Sequence, residues 1–268
     1  MRRKVLLVVA VLVLVAMGVQ PVLAITGGEY DDPDDPKYPQ VGAMVVETEL
    51  YGTFQACSGT LIHPRVFLTA GHCTSLFPAT VTFWVNFDTY ALNEDTLLAV
   101  EEVITHPDYH WGPTSNPHDV GVLILAKAVA DITPANLPSE GFLDDLREEG
   151  KLRPGPDGSK FTVVGYGATL DWPPPHIYYE DHRQYAVSEF QALLKSWLEL
   201  SQNQATGDGG ACIGDSGGPA FWTEPDGTEI LVGTTSWGDG VCVARCFRYR
   251  VDTPDTLDFI QEVIEGLD

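Results

Sequence analysis

The hexapeptide Gly214-Asp215-Ser216-Gly217-Gly218-Pro219 holds one serine hydroxyl among glycines, a setting that exposes it for nucleophilic attack on a carbonyl. It satisfies the pattern G-x-S-x-G, the nucleophile elbow of α/β-hydrolases, in which the catalytic histidine follows the serine. All seven histidines here (His63, His72, His106, His110, His118, His176 and His182) precede Ser216, so that reading fails. The chain order His, Asp, Ser remains, and it belongs to the convergent triads built on β-barrels.

Two residues suit the other roles. His72 follows the apolar run Val66-Phe67-Leu68-Thr69-Ala70, so a buried strand would deliver it to a loop at the strand's end. Its neighbour Cys73 could tie that loop to Cys57. Asp119 stands directly before Val120-Gly121-Val122-Leu123-Ile124-Leu125, where a desolvated carboxylate is unfavourable unless paired, and a histidine Nδ1–H is a suitable partner. Singly, each residue has a bland reading: a satisfied core histidine, a strand cap, a turn serine. Together, their types and order point to acyl transfer.

Short strands must position these groups. Val41–Val46, Gly59–Ile62, Val66–Thr69, Val81–Phe87, Leu97–Ile104 and Val120–Leu125 are β-branched and aromatic runs separated by turn residues. A second set follows at Phe161–Gly165, Ala220–Trp222, Ile230–Ser236 and Arg248–Val251. Pro134 to Gly158, rich in Pro, Gly, Asp and Glu, reads as the linker between the sets. Two helices are predicted. One covers about Tyr185–Leu200; the other covers Pro254–Ile264, with Thr253 as N-cap, Pro254 in the first turn and Leu257, Ile260 and Ile264 on one face. The segment Asp31-Asp32-Pro33-Asp34-Asp35-Pro36 reads as an exposed loop. It lacks the Gly and distal Glu of an EF-hand calcium loop.

Composition narrows the function classes. With 44% hydrophobic and 20% charged residues, the chain can bury a sizeable core. Fifteen basic against 38 acidic residues give −23, which argues against nucleic acid as a partner because phosphate contacts need Lys and Arg. Residues 1–24 combine Met1-Arg2-Arg3-Lys4, an uncharged run from Val5 to Val19, then Pro21 and Ala24: the plan of a secretory signal peptide cut after Ala24. The apolar run is shorter than the roughly 20 residues of a spanning helix. Loss of Arg2, Arg3 and Lys4, with no acid in this segment, would take −23 to −26. Export makes disulfides permissible, and five cysteines leave at least one thiol outside intramolecular pairs. No HExxH or paired CxxC occurs, so no metal or other cofactor is implied.

Four ordered motifs, Leu68-Thr69-Ala70-Gly71-His72-Cys73, His118-Asp119-Val120-Gly121-Val122-Leu123, Gly214-Asp215-Ser216-Gly217-Gly218-Pro219 and Ser236-Trp237-Gly238, resemble the successive signatures of the chymotrypsin (trypsin-like) serine peptidase family. The resemblance covers nearly all of the chain from Ile25, with Gly71 where the family usually has Ala. It implies an all-β fold of two six-stranded antiparallel β-barrels with a C-terminal helix. The first barrel is expected at about 40–133, the linker at 134–158, the second barrel at 159–252 and the helix at 254–265. It implies a secreted endopeptidase, extracellular or periplasmic and monomeric, acting on polypeptides and open to protein inhibitors.

Residue by residue, the resemblance makes Ser216 the nucleophile, His72 the general base and Asp119 its orienting partner, with the N–H groups of Gly214 and Ser216 as oxyanion hole. Ser236, Trp237 and Gly238 would pair with the substrate backbone. Ile25-Thr26-Gly27-Gly28 resembles the mature start, whose freed amine inserts beside the Asp preceding the nucleophile, here Asp215. Gly210, six residues before Ser216, would form the pocket base. Lacking a carboxylate there, the pocket is expected to take apolar or undemanding side chains. The resemblance further implies Cys57–Cys73 and Cys212–Cys242 bridges, with Cys212–Cys246 as the alternative to the second. Two other readings are an inactive homologue acting as a binding protein and an esterase using the same triad.

Overall fold

The computed structural model describes residues 25–78, 80–112, 114–171 and 176–267. The expected signal segment and its cleavage point after Ala24 lie outside them. Strands β1 (Glu29–Tyr30), β2 (Val41–Thr48), β3 (Gly52–His63), β4 (Val66–Thr69), β5 (Thr82–Asn86), β6 (Leu98–Thr105) and β7 (Gly121–Leu125) come first. Of these, β2 to β7 close in the order β2-β3-β4-β7-β6-β5. After them come β8 (Lys160–Gly165), β9 (Ala168–Asp171), β10 (His176–Tyr179), β11 (Gln184–Leu193), β12 (Trp197–Ser201), β13 (Pro219–Thr223), β14 (Glu229–Gly238) and β15 (Arg245–Arg250). Here β8, β11, β12, β15, β14 and β13 form the second antiparallel ring, closed by the β8–β11 pairing. The expected all-β, two-barrel fold with a C-terminal helix is the one observed. Strand β1 adds to β11, and β9 and β10 form a separate hairpin.

The pattern of side chains explains why β4 and β7 are unbroken apolar runs. Strand side chains alternate between faces. Phe67, Leu123 and Leu125 point into the first barrel with Met44, Val46 and Leu61. Val66, Leu68, Val122 and Ile124 point the other way, into a cluster shared with Trp197, Phe221, Tyr249, Phe259 and Ile260 of the second half. Both faces are buried, and each such side chain contributes about 1.5–3 kcal/mol. The two strands pair directly, Thr69 opposite Gly121. Their adjacent ends carry His72 and Asp119.

Two expectations are corrected. The segment Tyr185–Leu200 is not a helix but the β11–β12 hairpin, closed by Leu194 N–H donating to the Trp197 carbonyl at 2.8 Å. From Gln184 to Ser188 the burial alternates, and β11 is paired on one side with β8 and on the other with β12 and β1. Non-local pairing that closes a barrel outweighs the helix preference of Ala, Leu, Lys and Glu. The stretch between the two strand sets carries a helix. A helix, α2 (Phe142–Glu148, after the short α1, Gly71–Ser75), buries Leu143 and Leu146 in the second core beside Ile25. Asp31 is fully buried rather than exposed, although Asp32 to Pro36 are exposed as expected. Its carboxylate meets Arg183 Nε at 2.7 Å and accepts from the Lys37 and Tyr38 N–H groups. The last helix, α3 (Pro254–Glu265), has Thr253 as N-cap and buries Phe259 and Ile260.

Candidate active site

His72 sits in α1, directly after β4. The loop is held by the Cys57–Cys73 disulfide and by Thr74 Oγ1 donating to the Gly71 carbonyl at 3.0 Å. Gly71 packs tightly, since a Cβ there would lie 2.9 Å from Tyr109 Cδ2 and 3.0 Å from the Val120 nitrogen. His72 Nδ1 faces both Asp119 oxygens, at 3.1 and 3.0 Å, and the His72 backbone N–H donates to Asp119 Oδ1 at 2.8 Å. Ser236 Oγ donates to Asp119 Oδ2. Asp119 is 4% exposed. Burial raises its pKa, but the His72 hydrogen bond and charge, with the Ser236 hydroxyl, outweigh burial and hold the carboxyl below its usual range.

Two neighbouring histidines lie in loops beside this pair: His106 is buried and stacks on His118 with centroids 4.8 Å apart. His118 has φ +52° and bonds through Nδ1 to Asp255 of α3 at 2.7 Å. The C-terminal helix thus braces the residue next to Asp119. Sequence spacing carried no signal for this contact across 137 residues.

Ser216 lies between β12 and β13, on a loop clamped to the first barrel. Its carbonyl accepts from the Ser58 N–H at 2.8 Å, and the Gly214 carbonyl accepts from Gln55 Nε2 at 2.8 Å and Ser58 Oγ at 3.1 Å. Gly217 is required twice over: its φ is +78°, and a Cβ would lie 2.0 Å from Thr69 Oγ1 and 2.8 Å from the Ala70 nitrogen. This contact puts the serine loop against the residues that lead into His72. The N–H groups of Gly214 and Ser216 donate to no backbone carbonyl among the described residues.

A cleft of ≈ 380 Å³ is lined by His72, Asp119, Trp111, Trp197, Ser236 and Trp237, among others. Pairing of β14 with β13 ends at Thr234 opposite Pro219, so Ser236 to Gly238 keep one strand edge free of β13. The other edge pairs with β15, and Trp237 stacks on Phe247 at 3.8 Å. Gly210 is buried and donates to the Thr26 carbonyl at 2.9 Å. Its missing side chain is explained by a residue that sequence reasoning overlooked. A Cβ at 210 would lie 2.3 Å from Cβ of Gln202 and 2.6 Å from its Oε1. The Cys212–Cys242 bridge forms, and Cys246 is a buried free thiol whose pKa burial pushes up.

Ile25 and Asp215 are both buried but make separate contacts. The Ile25 nitrogen, an amide while Ala24 is attached, donates to Gln184 Oε1 at 3.1 Å. Asp215 accepts from the Gly167 and Cys212 N–H groups, each at 2.8 Å. Burial pushes its pKa up to about 7, against the opposing pull of those N–H groups and of the Arg248 charge. The native state of the uncut chain therefore holds a proton that the unfolded state releases near pH 4. Its stability should fall as pH rises from about 4 to 7, by about 4 kcal/mol. Urea midpoints across this range test it: Asp215→Asn should lack the slope, and an equal slope in both proteins would refute the assignment.

The family model described as Trypsin matches residues 31–260. CLIP domain-containing serine protease B15 of Anopheles gambiae is 29% identical over 212 residues, 71% of this chain and 56% of that protein. Serine protease 28 of Mus musculus is 26% identical over 237 residues, 81% of this chain and 80% of that protein. Vitamin K-dependent protein C of Mus musculus is 30% identical over 212 residues, 69% of this chain and 41% of that protein. The chain thus spans about half the length of the first and third.

Proposed function

The chain belongs to the trypsin family, and on that premise we propose that it is a secreted serine endopeptidase that cleaves polypeptides through His72, Asp119 and Ser216. The observation that carries the reading is the orientation of His72: Nδ1 is taken up by a buried carboxylate at 3.0 Å, which leaves Nε2 for the serine proton. Ser216 Oγ makes no hydrogen bond to His72 here, and such bonds are often long without substrate and tighten when it binds.

The steps follow from these positions. Ser216 Oγ attacks the substrate carbonyl as His72 Nε2 takes its proton, while Asp119 stabilises the imidazolium through Nδ1–H. The oxyanion is received by the N–H groups of Gly214 and Ser216. One such donor contributes about 3 kcal/mol of transition-state stabilisation. The C–N bond then breaks, His72 protonates the leaving amine, and water, activated by the same imidazole, hydrolyses the acyl-enzyme. The substrate backbone adds to Ser236–Gly238 as a strand. Cleavage after Ala24 frees the Ile25 amine to pair with Asp215, so signal removal itself generates the active form. No helix among the described residues is long and apolar enough to cross a membrane.

The test is reaction of protein whose N-terminus has been sequenced as Ile25 with a serine-directed phosphonylating reagent. Mass spectrometry should find the adduct on Ser216, with amide as well as ester hydrolysis by the unlabelled protein. No adduct would favour a binding role, and ester hydrolysis alone would favour an esterase.

A further inference from the structure

Among the described residues three arginines are almost wholly buried, and two of them meet a carboxylate. Arg183 pairs with Asp31 at 2.7 Å; Arg250 pairs with Asp252 at 2.7 Å and Asp144 at 2.6 Å. Arg248, 1% exposed, has only Nη1 engaged, on Thr235 Oγ1, while Nε and Nη2 have no partner. A buried guanidinium with free donors is strongly unfavourable unless an anion arrives to satisfy it.

Its place in the sheet shows where such an anion would come from. Arg248 lies on β15 opposite Thr235 of β14. Thr235 is bonded in both directions to the nucleophile loop: it donates to the Gly218 carbonyl at 2.8 Å and accepts from Gly217 N–H at 2.7 Å. Cys246, two residues before Arg248 and so on the same strand face, turns its Sγ toward Gly238, 3.6 Å from where a Cβ would be. The guanidinium therefore lies behind Ser216, below the wall made by Ser236 to Gly238, where the side chain on the acyl side of the scissile bond must enter.

The acids nearby are already committed. Asp215 takes the Cys212 and Gly167 N–H groups, and Asp239 takes the N–H groups of Val241, Val243, Ala244 and Arg245 and Gln202 Nε2. Gln202 Oε1 is a buried acceptor without a partner, set against Gly210, and would repel an anion there. An incoming anion is accordingly drawn to the Arg248 side and away from Gly210.

We infer that Arg248 is the specificity-determining residue, and that the side chain it selects on the acyl side of the cleaved bond is acidic, a glutamate or aspartate carboxylate accepting from Nε and Nη2. This rests on the serine peptidase reading and replaces the apolar preference inferred from Gly210 alone.

The experiment is a peptide series varied only at that residue (Glu, Asp, Gln, Asn, Leu, Phe, Arg, Lys), hydrolysed by protein with a sequenced Ile25 terminus. Glu and Asp should exceed their neutral isosteres in kcat/KM by about 100-fold, the scale of a buried charge-assisted pair. Arg248→Met should lower the Glu-to-Gln ratio by about the same factor, and Arg248→Lys should restore part of it. Removing an unpaired buried charge need not unfold the protein, and the parental profile is informative without any variant. Preference for Leu, Phe, Arg or Lys overturns the inference while leaving the peptidase reading intact. A Glu preference that survives in Arg248→Met overturns the role of Arg248. No hydrolysis of any peptide overturns both readings.

Discussion

Replacing Ser216 with alanine should lower kcat by about 10⁴- to 10⁶-fold, with little change in KM and no loss of fold. The side chain removed is a single hydroxyl on a half-buried residue whose backbone contacts, to Ser58 and through Gly217 to Thr69, stay in place. What disappears is the covalent route. What remains is the oxyanion hole and substrate binding, which by themselves leave roughly 10³- to 10⁴-fold acceleration over water. Steady-state kinetics of the variant beside its thermal midpoint check this. A variant within tenfold of the parent would mean that another residue performs the chemistry.

Asp119→Asn should cost about 10⁴-fold in kcat while leaving substrate binding nearly unchanged. The carboxylate accepts from His72 twice, through the backbone N–H at 2.8 Å and through Nδ1 at 3.0 Å, and also from Ser236 Oγ. An amide has only one acceptor oxygen for these donors, and its NH₂ favours the histidine tautomer with the proton on Nε2, the wrong nitrogen for a general base. The loss should ease as pH rises, since stronger external base replaces the missing proton acceptor. Rates measured from pH 7 to 10 give the answer. A loss below about tenfold would show that Asp119 only supports the strand end.

Much of the site was legible because its groups are tied to local pattern. His72 and Asp119 flank the two runs that are apolar on both faces, and such runs must be buried strands whose ends hold polar groups. The glycines around Ser216 mark a loop that a side chain would block, as the 2.0 Å approach at Gly217 bears out. Less visible were contacts whose partners are far apart in the chain. Ser236 on Asp119 spans 117 residues, and His118 on Asp255 spans 137. The β11–β12 hairpin was misread for a related reason: its strand character comes from neighbours on both sides, while its own composition favours a helix.

Residue type, spacing and order therefore determined the fold class, the His, Asp, Ser order and the cysteine left over. These are properties of alternation along a strand and of chemistry confined to a few adjacent residues. Only the tertiary structure decided what lies behind the Ser216 loop. A missing carboxylate at Gly210 was plain from the sequence, but the Gln202 side chain that fills its space follows strand β12, and the Arg248 guanidinium left without an anion lies on β15. Burial and pairing of a charge depend on which strands meet across a closed barrel, and that is set by the whole hydrogen-bonded ring rather than by the residues beside it.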